Sequence, residues 1–286
     1  MIQESFIPTI KRLKLNRKYV IYSILYGLST LILPLAVQFL VNNLALAGIW
    51  VNILAFLIII GTGLTLSLII KYCQIVLIEF LQRELFCLFS SEWREKIHTY
   101  YRMYFIEIFF SMKSFSKSYT IIVETALVTG FGLVMIAIFH PVFLSLAILI
   151  VIVLYQIRQS TRPAIEASIL VSDEKYSLFD RAIHDITPDT TGMERYLRAR
   201  EKRFSYIKKN TIKLSVLYII CQILLLGGGT MLIENDQLSI GQLVSAEIIF
   251  SNIMISLNKL PYALEGMYDF ETSLYKLEKA RAHTDG

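Results

Sequence analysis

Charge is missing from long stretches of this chain. Residues 19–70 contain no Asp, Glu, Lys, Arg or His. Across all 286 residues only 18% are charged and 55% are hydrophobic. The mean hydropathy is +0.56, which excludes an ordinary soluble domain and points to an integral membrane protein. Cysteine is scarce too. Cys73, Cys87 and Cys221 show no CxxC or His/Cys ligand spacing, which argues against a disulfide framework and a zinc site. The four histidines, His98, His140, His184 and His283, are scattered, and none pairs at i,i+4. There is no HExxH, no GxSxG and no GxxxxGK[ST]. The chain is therefore not read as an enzyme by itself. Gly227, Gly228 and Gly229 are followed by Thr230 and Met231 inside an apolar run, so they read as close helix packing or a bend. The net charge of +5 could suggest nucleic acid, but its placement between charge-free spans excludes that partner. The basic N-terminus precedes an apolar run too long for a cleavable signal.

What is present is a series of apolar spans. The charge-free residues 19–70 are too long for one crossing and fit two, 19–41 and 51–70, around a turn marked by Asn42, Asn43, Gly48 and Trp50. Pro34 should kink the first. Ile75, Ile78, Leu81, Leu85 and Leu88 recur at helical spacing, and no Pro or Gly follows Leu64 until Gly130. The second span is therefore expected to continue out of the membrane as one long helix, turn near residues 98–110, and return. Further spans are expected at 118–139, 142–157, 214–233 and 239–258, with His140-Pro141 a tight turn and Tyr155 and Gln156 at an interface. Residues 158–213 form a second long charged helical block, broken around 187–192. Ser239 with Gln242 three residues later has the capping-box pattern. The expected fold is an all-α membrane protein with six transmembrane helices, two long cytoplasmic helical extensions, and a single domain over 1–286.

Charge also orients the spans. Five Lys or Arg lie in 1–18, seven in 71–117, twelve in 158–213 and four in 259–286, and these account for all 28. The opposite connections hold none, only Glu234 and Asp236. The positive-inside rule then places both termini and both long blocks in the cytoplasm.

Glu247 and Glu124 are ionisable residues inside apolar spans, so each is a candidate for lining a polar path or binding a cation. Glu124 lies in the first turns of its span, where solvent or Lys117 could also satisfy it. Gln38, Gln222, Asn252 and Ser256 are further polar candidates, although buried amides often only bond to backbone.

Ser-Ile-Gly-Gln-Leu-Val (239–244), opening the sixth span after a short turn, resembles the transmembrane domain of ATP-binding-cassette exporters, where an [ST]-x-Gly-x-Leu-Val motif opens the last membrane helix. Gly241-Gln-Leu-Val-Ser-Ala-Glu247, then Lys259 and Glu265-Gly-Met-Tyr-Asp-Phe (265–270), is similar to a bacterial subgroup with a GQLVAAE motif and a LExxYD-like tail. Pro34 ahead of Val41-Asn42, Gln82-Arg83-Glu84-Leu85, and His140-Pro141 add to the likeness. The resemblance implies the permease subunit of an exporter in a bacterial cytoplasmic membrane. It implies a homodimer or heterodimer of transmembrane domains, with spans 4 and 5 crossing to the partner. It also implies an ATPase subunit or domain that binds ATP and Mg, since this chain would hold no cofactor. The extensions would end in coupling helices near 94–108 and 181–188, which assigns coupling to Arg102, Arg181, His184, Asp185 and Pro188. Two departures stand out. The chain stops at Gly286, before a nucleotide-binding domain, and the first tip is shorter than the subgroup's and lacks its Gly-containing segment. A non-transporting sensor or scaffold, or a truncated half-transporter, is the alternative on the same fold.

Overall fold

The computed structural model describes residues 14–44, 50–93, 101–184 and 190–282, with side chains described over 17–42, 56–87, 107–179 and 190–276. Those residues form α1 (Lys14–Ser29), α2 (Ile32–Leu44), α3 (Trp50–Trp93), α4 (Tyr101–Phe139), α5 (Leu144–Gln159), α6 (Thr161–His184), α7 (Thr190–Glu234), α8 (Ile240–Leu257) and α9 (Leu260–Ala282). A 3-10 turn, Pro141–Phe143, precedes α5. No strand occurs among the described residues. Six helical stretches are long and apolar enough to cross a membrane: Arg17–Asn42, Phe56–Cys87, Glu107–Phe139, Pro141–Phe179, Thr190–Glu234 and Ile240–Lys276.

Proline decides where these stretches break. Pro34, Pro163 and Pro261 each lie in the first turn of a helix, and each has no N–H for the carbonyl four residues earlier. Those carbonyls belong to Thr30, Gln159 and Leu257, and α1, α5 and α8 end there or one residue before. Pro34 thus produces a full break at Thr30–Leu31 where a kink was expected. Hydroxyls take up neighbouring carbonyls. Thr30 Oγ1 donates to Gly27 O at 2.6 Å, and Ser160 Oγ donates to Ile157 O at 2.7 Å. In hydrocarbon an unpaired carbonyl would cost several kcal/mol, so these local bonds make the breaks tolerable.

Other ends follow their local chemistry. At α8 the capping box closes both ways: Ser239 Oγ accepts from Gln242 N at 3.1 Å, and Ser239 N donates to Gln242 Oε1 at 2.8 Å. His140 Nδ1 accepts from Val142 N at 3.3 Å and caps the turn before α5. Helix α7 ends with Asp236 at φ 56, Gln237 N donating to Leu232 O at 2.9 Å and Asp236 N to Ile233 O at 3.0 Å. That is a Schellman cap with Asp where glycine is usual.

Two cores result. In the first, α4, α5, α7 and α8 share a seam of Ile136, Leu146, Ile150, Leu217, Cys221, Leu225, Ile249, Phe250 and Ile253. The second joins α3, α4 and α9 through Leu81, Leu85, Ile108, Met112, Phe115, Phe270 and Leu274, with the Phe115 and Phe270 rings 4.4 Å apart. Ile75, expected on the packed face of α3, is 57% exposed, and Gln74 is buried in its place. Helix α4 is already helical at Tyr101 and Ile108 is core, so the return from α3 comes earlier than the expected turn at 98–110. In the α3 stretch only 6% of the most apolar window is buried, which puts that helix on the outside of the bundle.

Glycine sets the closest helix approaches. A Cβ on Gly229 of α7 would strike the end of the Leu243 side chain of α8, in keeping with the close-packing reading, while Gly227 and Gly228 face open space. A Cβ on Gly241 would strike the Asn42 side chain and come within 2.7 Å of the Gln38 carbonyl. That carbonyl is backbone and cannot swing aside. Gly241→Ala is therefore expected to lower stability by about 1–3 kcal/mol through overpacking. Gly228→Ala should be neutral or raise it by roughly 0.5–1 kcal/mol, because alanine is the better helix former. Unfolding midpoints of the two variants in detergent check the contrast.

Candidate functional site

The polar residues expected inside the spans fall at three places. At the seam of α7 and α8, Gly229 sits against Leu243 and Tyr218 stacks on Phe250 with ring centroids 6.2 Å apart. Residues 218, 222, 225 and 229 form one ridge of α7, and 243, 247 and 250 one ridge of α8. The two contacts bracket Gln222 and Glu247, which lie on the facing ridges of this seam. Glu247 Oε1 accepts from Ser251 Oγ at 3.2 Å. Glu247 Oε2 and Gln222 Oε1 are both buried and have no hydrogen-bond partner. Asn252 is half-buried on the same helix, off this ridge.

Gln38 lies elsewhere, on the seam of α2 and α8. There Gly241 N donates to Asn42 Oδ1 at 3.1 Å and Ser245 Oγ donates to the Pro34 carbonyl at 2.6 Å. Gln38 lends its backbone carbonyl to the Gly241 contact. Ser256 likewise contributes backbone, its carbonyl accepting from Thr125 Oγ1 at 3.1 Å. Glu124 lies at the other end of the spans and meets Lys71 of α3, not Lys117, at 2.6 Å. The Lys71 ammonium also sits 4.4 Å over the Tyr26 ring. Nearby, Gln74 Nε2 donates to Ser23 Oγ at 3.0 Å and the Tyr19 hydroxyl donates to Thr120 O at 3.3 Å. Glu124 therefore ties α3 to α4 beside α1, with its charge already met.

Of the residues assigned to coupling, Asp185 and Pro188 lie outside the described residues. Arg102, Arg181 and His184 lie in α4 and α6, but their side chains are outside the described ones.

The densest polar cluster is one the sequence reading did not single out. Glu107 of α4 accepts from Lys175 Nζ at 2.8 Å, from Ser172 Oγ at 3.3 Å and from the Tyr176 hydroxyl, all on α6. Lys276 of α9 is 7% exposed, donates to Ser172 Oγ at 2.6 Å and pairs with Asp173 at 3.3 Å. Its ammonium lies 4.0 Å over the Tyr176 ring. Arg203 of α7 pairs with Glu265 at 3.0 Å and Asp269 at 2.8 Å, both on α9. Four helices are thus clamped by charge, with α9 touching the other three. One signal was readable: Glu265, Asp269, Thr272 and Lys276 recur at four, three and four residues, a polar stripe on one face of a helix. Such stripes usually face water, and only the packing shows that this one is half-buried.

Set against known protein families and curated proteins, the chain matches no family model and no curated protein.

Breaking the Glu107 cluster leaves partly buried cations short of a partner. Glu107→Gln should cost about 1.5–3 kcal/mol, the usual range for a hydrogen bond to a charged group. Glu79 pairs with Arg83 on the surface, where both side chains are more than half exposed. Glu79→Gln should change stability by under about 0.5 kcal/mol. Thermal unfolding of the two variants in one detergent checks this ranking.

Proposed function

We propose that these 286 residues form the membrane-embedded permease part of an ATP-binding-cassette exporter, working as a dimer of transmembrane domains with a separate ATPase subunit or domain. The observation that carries the reading is helix length. A crossing needs about 20 residues. Beyond the charge-free spans, the 44-residue α3 and the 45-residue α7 run on for about 35 Å at 1.5 Å per residue. Helices α4 and α6 extend past their spans in the same direction, and the four carry most of the basic residues. Two helical hairpins reaching that far suit docking on a soluble motor. ATP and Mg would be bound by that partner, since these residues contain no phosphate-binding loop.

The motif that carries the resemblance also has a physical role. Ser239 and Gln242 cap α8, Gly241 lets α2 approach, and Ser245 bonds to the carbonyl of Pro34. Glu247 and Gln222, with unmet oxygens at one seam, are the proposed pathway pair. Glu124, already neutralised by Lys71, is the weaker pathway candidate.

The reading predicts that the chain co-purifies with a cassette ATPase whose hydrolysis is vanadate-sensitive in the complex. Deleting 181–188 should abolish transport and leave ATP hydrolysis uncoupled. An unchanged activity after that deletion would instead favour a non-transporting sensor or scaffold. Glu247→Gln should alter transport without changing assembly. A monomer that binds no cassette ATPase would refute the reading.

Orientation is tested separately. Cys87 is exposed on α3 beyond the charge-free span, and Asp236 is exposed in the opposite turn. With the basic blocks in the cytoplasm, a membrane-impermeant maleimide should label Cys87 in inside-out vesicles only. It should label an Asp236→Cys variant from outside the cell. The reverse pattern would invert the topology.

A further inference from the structure

We propose that the basic end of the bundle holds a binding site for a small soluble oxyanion, with phosphate or carboxylate chemistry, in the cavity between α4, α6, α7 and α9. The cavity has a volume of about 300 Å³, and its lining includes Ser168, Thr272, Lys175 and Arg203 together with the carboxylates of Glu107 and Asp269. A second cavity of about 310 Å³ shares Arg203 and Asp269 with it, so this ion pair stands between two open spaces.

The chemistry of the site follows from which hydrogen-bonding capacity is left over. The acidic groups are already engaged. Glu107 accepts from Lys175, Ser172 and Tyr176, and Asp269 and Glu265 accept from Arg203. Among the described residues lining the cavity, the buried groups without a partner are the hydroxyls of Ser168 and Thr272, 2% and 3% exposed, and Nε of Arg203. A hydroxyl can donate, and a guanidinium N–H can do nothing else. Three donors from three helices, one of them cationic, are matched by an acceptor-rich anion. The charges lining the cavity balance, Glu107 and Asp269 against Lys175 and Arg203, so the unmet donors and not net charge select the ligand.

The oxygens could come from a free anion or from a lipid headgroup. Arg203 precedes Leu214, the first residue of the charge-free span, by 11 residues, about 16 Å along the helix. The headgroup layer adds only about 5–8 Å to each side of the hydrocarbon. The depth favours a soluble oxyanion. This inference does not depend on the permease reading.

The test uses the full chain purified in detergent. It is titrated with sodium phosphate, and with sodium chloride at matched ionic strength, by calorimetry and by unfolding midpoint. A parallel arm places the chain in phosphatidylcholine nanodiscs with and without phosphatidylglycerol. The expected result is a saturable heat and a raised midpoint with phosphate, no such response to chloride, and no dependence on phosphatidylglycerol. The Ser168→Ala/Thr272→Val double variant removes two unmet hydroxyls. Its midpoint without phosphate should be unchanged or higher, while its phosphate affinity falls about tenfold. Arg203→Lys, which keeps the charge and loses the Nε donor, should weaken phosphate similarly and serves if the double variant does not fold. The proposal is overturned if phosphate acts no differently from chloride, which would mean a cavity filled by water. It is equally overturned if the variants bind phosphate as the parent does, or if only phosphatidylglycerol gives a response.

Discussion

In a bilayer, one apolar helix gains little by leaving lipid for another apolar helix, because both surroundings are hydrocarbon. Association has to come from close approach and from polar bonds. Those are the contacts found at the seams of this bundle. Gly241 admits α2, Gly229 admits Leu243, and Gly132 admits Ile253, whose side chain a Cβ there would meet at 2.8 Å. Ser245 bonds to the Pro34 carbonyl, Thr125 to the Ser256 carbonyl, and Asn42 to the backbone of Gly241. Several of these bonds use backbone groups at or near a helix end or break.

Toward the basic end the balance of forces changes. Phe115, Phe270, Leu81 and Leu85 form a compact apolar core, and around it the side chains become charged. Under the proposed topology this end lies in water, where the hydrophobic effect contributes on the order of 1.5–3 kcal/mol per large side chain fully buried. The ion pairs add orientation more than stability, since a partly buried pair gives up much of its hydration. Helix α9 is central to this region. Gly266 brings it against Ser114 and Ser118 of α4, and its charged stripe reaches α6 and α7. The Glu265-Gly-Met-Tyr-Asp-Phe segment thus combines an ion-pair partner in Glu265, a close-contact glycine in Gly266, a second ion-pair partner in Asp269 and a core aromatic in Phe270.

The features that depend on local chemistry were legible in the sequence. The six apolar stretches, the capping box at Ser239 and the turn at His140 follow from composition and short-range bonding. Pro34 marked an interruption, although its extent depended on local bonding such as that of Thr30 Oγ1 to the Gly27 carbonyl. The buried face of α3 was misjudged because Ile75 and Gln74 are adjacent, and apolarity alone chose the wrong one. Gln74 finds a hydrogen-bond partner inside in Ser23, whereas Ile75 needs none and is left on the outer face. Lys71 as the partner of Glu124, and the Glu107 cluster, were illegible for a different reason. They join residues 53 and about 68 positions apart, and charge spacing along one helix does not reveal which helix will face it.

The unmet oxygens at the α7–α8 seam and the unmet donors at the cavity lie on one mechanical element. Helix α7 carries both Gln222 and Arg203, 19 residues or about 28 Å apart, without a break between them. Its partner along the same path is jointed: α8 carries Glu247, α9 carries Asp269, and Pro261 separates them at Asn258–Lys259. A continuous rod beside a jointed one moves unevenly when either end is pushed. The Arg203–Asp269 pair joins the continuous rod to the jointed arm beyond its break, so charge as well as packing ties the two ends of the bundle together.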